Sequence, residues 1–188
     1  MNTSDEALMN EVKAGAVTKL AVLFERHHRS LFRYLLSLTR NREIAEDLVQ
    51  DVFFRILRSR ATYQSERSFQ VWMYQIARNA NLDRVRQRHG EVIGIDEFGA
   101  GIPDIAASEP DPETFAARNQ DVKLLRAAMA RLAADKREIL VLSRFQGLKY
   151  TEIAEVLGCE LNTVKVRVHR AMRALEQIYF TLAGEKAS

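Results

Sequence analysis

The sequence predicts an all-α protein: two small helical domains joined by a flexible acidic linker, the C-terminal one a helix-turn-helix. Three observations predict it. Apolar residues recur at helical spacing along most of the chain. The 188 residues include only 8 glycines and 3 prolines, and helix formers dominate. Charge falls in blocks that separate the two helical parts. Residues 1–57 balance, with eight basic and eight acidic side chains, while 58–88 carry seven basic against two acidic. Residues 89–113 carry seven acidic groups and no Lys or Arg. Basic groups again exceed acidic ones in 114–158, eight to five, and in 159–188, five to three. Basic blocks attract phosphate by releasing counterions, and the acidic block between them should avoid nucleic acid.

The elements follow in order. Ala16 to Leu38 reads as a helix whose apolar face is Leu20, Leu23, Phe24, Leu31, Tyr34, Leu35 and Leu38. His27 and His28 lie within it, and adjacent positions point apart on a helix, so they make a poor metal pair. They are expected to be partly exposed polar residues. Asn41 can cap the next helix, Arg42 to Arg58, whose core stripe is Val49, Val52, Phe53 and Ile56. A second stripe on that helix joins Asp47, Gln50, Asp51 and Phe54 at i, i+3, i+4 and i+7. A purely solvated face seldom carries a phenyl ring, so a partner protein is one reading. The other is a ring that tucks into the core. Residues 61–68 read as a loop, and Ser68 can cap a helix from Phe69 to Arg88. Phe69, Trp72, Ile76 and Ala80 lie on one side of it, with Met73 and Tyr74 beside them. Past Arg78 it turns polar. Aromatic rings beside arginines suit nucleic acid, although Trp72 taken alone fits a core position as well.

Residues 90–113 are rich in glycine and proline and hold the acidic excess, the composition of a linker. Phe115 to Leu132 and Asp135 to Phe145 predict two further helices. Leu124, Leu125, Met129, Leu132, Ile139, Leu140 and Leu142 are expected to form the core beneath the helix-turn-helix. That motif is the stretch Tyr150 to Leu175. Ile153, Ala154 and Leu157 stripe its first helix, which Thr151 can cap and Gly158 ends. In the second helix Val164, Val168, Ala171 and Leu175 share a face. Asn162, Lys165, Val166, His169, Arg170 and Arg173 stand opposite. A short helix buried on one side and basic on the other suits the major groove, where base edges can be read. An ordinary helical hairpin with a solvated basic face is the plainer alternative.

The single cysteine, Cys159, excludes an intramolecular disulfide and suits a reducing compartment. A structural thiol is its default reading. The N-terminus is polar and acidic, without the apolar core of a signal peptide, and no apolar run approaches a membrane span. The expected location is the cytoplasm, with no membrane insertion. No phosphate-binding glycine loop, metal-ligand cluster or nucleophile–base pairing is recognisable, so neither an enzyme nor a bound cofactor is expected.

Three blocks together resemble a known family: AEDLVQDVFFRIL at 45–57, FQVWMYQIARNANLDRVR at 69–86 and YTEIAEVLGCELNTVKVRVHRA at 150–171. Their order and spacing resemble the extracytoplasmic-function sigma factors, small two-domain members of the bacterial sigma-70 family. The resemblance implies an N-terminal domain at 1–89 for core polymerase and the −10 element, a linker at 90–113, and a −35-binding domain at 114–188. Glu46, Asp47, Gln50 and Asp51, with Phe54 on the same stripe, then match the helix that docks on the clamp of the largest polymerase subunit. Tyr63, Gln64, Ser65, Glu66, Arg67 and Ser68 match the loop that captures a flipped base. Trp72, Arg78, Asn79, Asp83 and Arg84 match the helix along the melting bubble. Lys165, Val166, His169 and Arg170 match the major-groove readers, with Asn162 beside them. Thr163, Arg167 and Arg173 match phosphate contacts. The implied partners are core RNA polymerase, promoter DNA and an anti-sigma factor.

The chain departs from the family in places. Met73 follows Trp72 where housekeeping sigma factors carry a second tryptophan, which implies weaker melting and stricter promoter choice. Many relatives have Gly at Asn162 and Ser at Val166. Val166 offers no hydrogen bond and suits contact with a thymine methyl. Two other functions remain compatible with the residues alone. A stand-alone helix-turn-helix regulator would bind a palindromic site without polymerase. A scaffold protein would offer the basic face to an acidic partner.

Overall fold

Ser4 opens the fold. Its hydroxyl accepts the Ala7 N–H at 3.2 Å and caps α1, Asp5–Lys13. The computed structural model describes residues 3–90 and 112–187. After α1 come α2 (Lys19–Thr39), α3 (Arg42–Arg58), a short 3₁₀ turn at Arg60–Thr62 and α4 (Phe69–Gly90). The second half holds α5 (Pro112–Arg131), α6 (Ala134–Leu140), a π-helical turn at Val141–Phe145, α7 (Tyr150–Leu157) and α8 (Leu161–Ala187). The described residues contain no strand, as the all-α expectation required, and no helix among them is long and apolar enough to cross a membrane.

α1 is an element that sequence reading missed. Leu8, Met9 and Val12 are buried against α2 and α4. Polar pairs orient the docking. Asp5 receives Arg26 at 2.6 Å and lies 2.6 Å from His27 Nε2, and the Glu6 carboxylate accepts the Phe69 N–H at 3.3 Å. Met9→Ala is therefore expected to cost about 2–5 kcal/mol in urea unfolding, the range for a filled core site. A cost below about 0.5 kcal/mol would mean that α1 is not part of the core.

α2 begins at Lys19, three residues later than its apolar pattern suggests, because Gly15 at φ +110 leads into a turn. Asn41 caps α3 as expected, its Oδ1 accepting the Ile44 N–H at 3.0 Å. α3 and α4 pack with α2 into one bundle, and Arg55 ties α3 to α4 through Asp83 at 2.8 Å. Ser68 stands at the start of α4, with its Oγ 3.5 Å from the Val71 nitrogen.

Of the linker expected at 90–113, residues 91–111 lie outside the described residues. Its edges differ from expectation: Gly90 still belongs to α4, and Pro112 already opens α5. Proline is tolerated there because a first helical turn needs no N–H from it. In the second half Leu124, Met129, Leu132, Ile139, Leu140 and Leu142 are buried as expected, but Leu125 is exposed. Its side chain leaves α5 about 100° around the helix from that of the buried Leu124.

The two halves pack on each other: α4 meets α7, and α2 meets α6. Tyr34 and Tyr74, fully buried, stand edge to face at 5.1 Å beneath this junction. Their hydroxyls cross it, Tyr34 to Glu138 at 2.8 Å and Tyr74 to Gln146 at 2.6 Å.

Candidate nucleic-acid and polymerase interfaces

Three surfaces carry the residues singled out above. The first is the outer stripe of α3. Glu46, Asp47, Gln50 and Phe54 are exposed, Phe54 by 63%, and Asp51 is half-buried. The phenyl ring therefore does not tuck into the core. Asp51 is held by Arg55 at 2.8 Å, and Arg55 also grips Asp83. The hydrogen bond to Asp83 raises the Arg55 pKa above its ordinary value against the effect of burial, with Asp51 adding to it.

The second surface is the loop before α4 and the helix itself. Gln64, Ser65, Glu66 and Arg67 are exposed, and Ser68 is partly so. Tyr63 differs from the expectation of an open loop residue, being only 1% exposed. Its ring lies 5.1 Å from Trp72, and its hydroxyl donates to the Arg67 carbonyl at 2.7 Å. Burial, with Glu6, Asp5 and Glu66 adding, pushes the phenol up to about 12. Lys13 donates to the Tyr63 carbonyl at 2.6 Å, and Ser65 to Asn10 at 3.1 Å. The loop is thus clipped to α1 and presents a fixed shape. Trp72 is partly exposed at the edge of the core and Asn79 is open to solvent, while Arg84 is half-buried. Asp83 is tied to Arg55, so it acts first as an α3–α4 bridge. Arg78 points toward the second half of the chain, with its Nε 3.3 Å from Glu138 Oε1.

The third surface is the helix-turn-helix. Lys149, not Thr151, is the N-cap of α7, and the Glu152 carboxylate accepts its N–H at 2.7 Å. Thr151 sits one residue too far in to serve that role. Ile153 and Val156 are the buried residues of α7, whereas Ala154 and Leu157 are half-buried. Gly158 ends the helix at φ +64, where a side chain would be strained. On α8, Val164, Val168, Ala171 and Leu175 are buried. Asn162, Lys165, Val166, Arg167, His169, Arg170 and Arg173 are exposed, and Thr163 is half-buried. About four contiguous turns of helix therefore keep one apolar and one basic face. Cys159 is a free, half-buried thiol in the turn. No group of three His, Cys, Asp or Glu among the described residues is placed to hold a metal ion.

Residues 23–91 match Sigma-70 region 2, and residues 123–175 match Sigma-70, region 4. The RNA polymerase sigma factor CarQ of Myxococcus xanthus is 31% identical over 180 residues, 95% of this chain and 99% of its own length. The ECF RNA polymerase sigma factor SigE of Mycolicibacterium smegmatis is 32% identical over 165 residues, 88% of this chain. The chain spans 63% of that relative's length. The chain belongs to the extracytoplasmic-function sigma factors of the sigma-70 family. It is a promoter-recognising sigma factor and, as such, works with core RNA polymerase and promoter DNA. The fold of this sigma factor is similar to CnrH in complex with the cytosolic domain of CnrY, with a TM-score of 0.70 at 22% identity over 95% of this chain and 99% of that one. It is also similar to the sigma factor RpoE of Bartonella quintana in complex with the anti-sigma factor NepR, with a TM-score of 0.65 at 27% identity over 80% and 89% of the two chains.

Sequence reading missed two polar residues of this sigma factor, Glu138 and Gln146, that face the other half of the chain. Glu138 lies one residue before Ile139, in an otherwise ordinary amphipathic helix, and no local pattern marks it. Gln146 owes its place to the π-helical turn, whose Gln146 N–H reaches back five residues to the Val141 carbonyl at 3.0 Å.

Proposed function

We propose that this sigma factor divides promoter recognition between residues 1–89 and 114–188, joined through 90–113. The observation that carries the proposal is the pairing, in one chain, of an exposed acidic stripe around Phe54 with an exposed basic face on α8. An acidic stripe repels DNA and suits a basic protein partner, and the basic helix suits phosphate and base edges. Glu46, Asp47, Gln50, Asp51 and Phe54 dock on the polymerase clamp. The exposed loop residues Gln64 to Ser68, with Trp72, Arg78, Asn79 and Arg84, contact the −10 strand. Tyr63 and Asp83 support that surface from beneath. Lys165, Val166, His169 and Arg170 read the −35 element, with Asn162 beside them, and Thr163, Arg167 and Arg173 hold its phosphates. The chain supplies recognition and no bond chemistry, acts in the cytoplasm, and is held inactive by an anti-sigma factor, a reading supported by the complex of the similar sigma factor RpoE of Bartonella quintana with the anti-sigma factor NepR.

Run-off transcription with core polymerase on genomic DNA, with start sites mapped, tests the proposal. The expected result is a small set of starts that share two spaced elements and vanish without the chain. Tight binding of the purified chain alone to a palindrome would replace this reading with a stand-alone regulator.

On a promoter found in this way, Trp72→Ala is expected to lower open complexes by about five-fold or more on duplex DNA and far less on a pre-melted template. One stacked base contributes about 1–3 kcal/mol. Equal loss on both templates would make Trp72 a packing residue for Tyr63.

A further inference from the structure

We propose that α1 positions the loop before α4, and that Glu6, Asn10 and Lys13 set the shape in which this loop meets its base. The proposal rests on the reading of residues 64–68 as a −10 contact. Glu6, Asn10 and Lys13 fall at i, i+4 and i+7, so they share one face of α1. Leu8, Met9 and Val12 already bury the helix against α2 and α4. The polar face is therefore not needed to dock α1, and each of its polar groups ends in residues 63–69. Where the loop begins, Lys13 Nζ donates to the Tyr63 carbonyl at 2.6 Å. At its tip, Asn10 Oδ1 accepts the Ser65 hydroxyl at 3.1 Å. Where it gives way to α4, Glu6 Oε1 accepts the Phe69 N–H at 3.3 Å. The match to Sigma-70 region 2 begins at residue 23, so all of α1 lies outside it.

Two bonds close the loop on itself: the Tyr63 hydroxyl to the Arg67 carbonyl at 2.7 Å, and the Arg67 N–H to the Gln64 carbonyl at 3.0 Å. They fix its curvature but not its place beside α4. The bonds from α1 fix that place, at both ends and at the tip, and leave Gln64, Glu66 and Arg67 exposed. Those from Lys13 and Glu6 are charge-assisted, the stronger kind. A loop held from a helix presents its side chains more exactly than one held only by itself. A base that fits such a loop is separated from its competitors because a wrong base leaves polar groups unpaired. Loss of the α1 bonds should therefore reduce discrimination at the captured base rather than binding to every sequence alike.

The test uses holoenzyme made from the full chain and core polymerase, on a promoter mapped by run-off transcription, with panels of single-base −10 and −35 variants. Lys13→Met keeps the aliphatic stem and removes the donor, and Asn10→Ala removes the tip contact without a change of charge. Together they should narrow the ratio between the preferred base and the others at one −10 position by roughly five-fold or more, the factor for two hydrogen bonds. The −35 ranking and the affinity for core polymerase should not change. Asn10→Ala alone should narrow the ratio by about two-fold or more and guards against misfolding of the double variant. Lys13→Arg keeps a cationic donor and should retain the preference. Circular dichroism checks that the variants stay helical. The role of α1 is overturned if folded variants keep the wild-type ranking at every −10 position. It is also overturned if they lose binding equally on all sequences, as a lost phosphate contact or a weakened bundle would. Gln64→Ala/Arg67→Ala, with α1 intact, tests the loop itself. If that variant leaves the −10 ranking unchanged, the loop reading falls and the proposal with it. If it reorders the ranking while the Asn10 and Lys13 variants do not, only the role of α1 is refuted.

Discussion

Asp47→Arg combined with Phe54→Ala is expected to abolish holoenzyme formation, weakening affinity for core polymerase at least 100-fold. Both side chains are exposed, and Phe54 makes no contact that its own bundle needs. Truncation of an aromatic anchor costs about 2 kcal/mol or more at an interface. Reversal of a paired interfacial charge adds about 2–5 kcal/mol. The helical content and the unfolding midpoint should not change, which circular dichroism checks beside a titration of labelled chain with core polymerase. Asp51→Arg is the less informative change. Asp51 holds Arg55, and Arg55 bridges to Asp83 on α4, so that substitution also disturbs the helix proposed to contact the strand. Normal affinity in the Asp47/Phe54 variant would remove this stripe from the docking surface.

The second large effect is expected at the −35 element. Arg170→Ala should cost about 1–3 kcal/mol at one base position and relax preference there, because a guanidinium can pair with both O6 and N7 of guanine. Arg173→Ala should weaken all −35 sequences alike and lower the salt slope, as a lost phosphate contact does. Both residues are exposed on α8, so neither change should disturb the core made by Val164, Val168 and Ala171. Holoenzyme binding to a panel of single-base −35 variants at two salt concentrations distinguishes them. If Arg170→Ala lowers binding uniformly without reordering the panel, Arg170 is a phosphate clamp. Specificity then falls to Lys165, His169 and Val166 or to the shape of the DNA.

Much of this molecule is legible along the chain because its signals are local. α3 runs from Arg42 to Arg58 as its cap and stripes suggest, since Asn41 supplies a side-chain acceptor within three residues of the N–H it caps. The two-faced α8 follows from helical period alone, whereas period left the Phe54 ring open between exposure and a tuck into the core, and only the structure shows it exposed. Other features needed contacts far apart in sequence. α1 is nine residues long, too short to hold by itself, and exists because Leu8, Met9 and Val12 find α2 and α4. Tyr63 belongs to an exposed loop by pattern, yet its ring is buried beside Trp72.

By itself the sequence determined an all-helical chain, the family, and which face of α8 is buried and which is exposed. The helices and their faces depend on residues three, four or seven positions apart, where the backbone sets the geometry, and the family rests on the resemblance of three linked blocks. Only the tertiary structure decided that Arg78 faces Glu138, and that Tyr34 and Tyr74 lie under a junction between the halves. Residues separated by 60 to 116 positions meet there. No periodicity encodes such a meeting, because buried hydroxyls, a carboxylate and an amide find one another only once the two cores have packed.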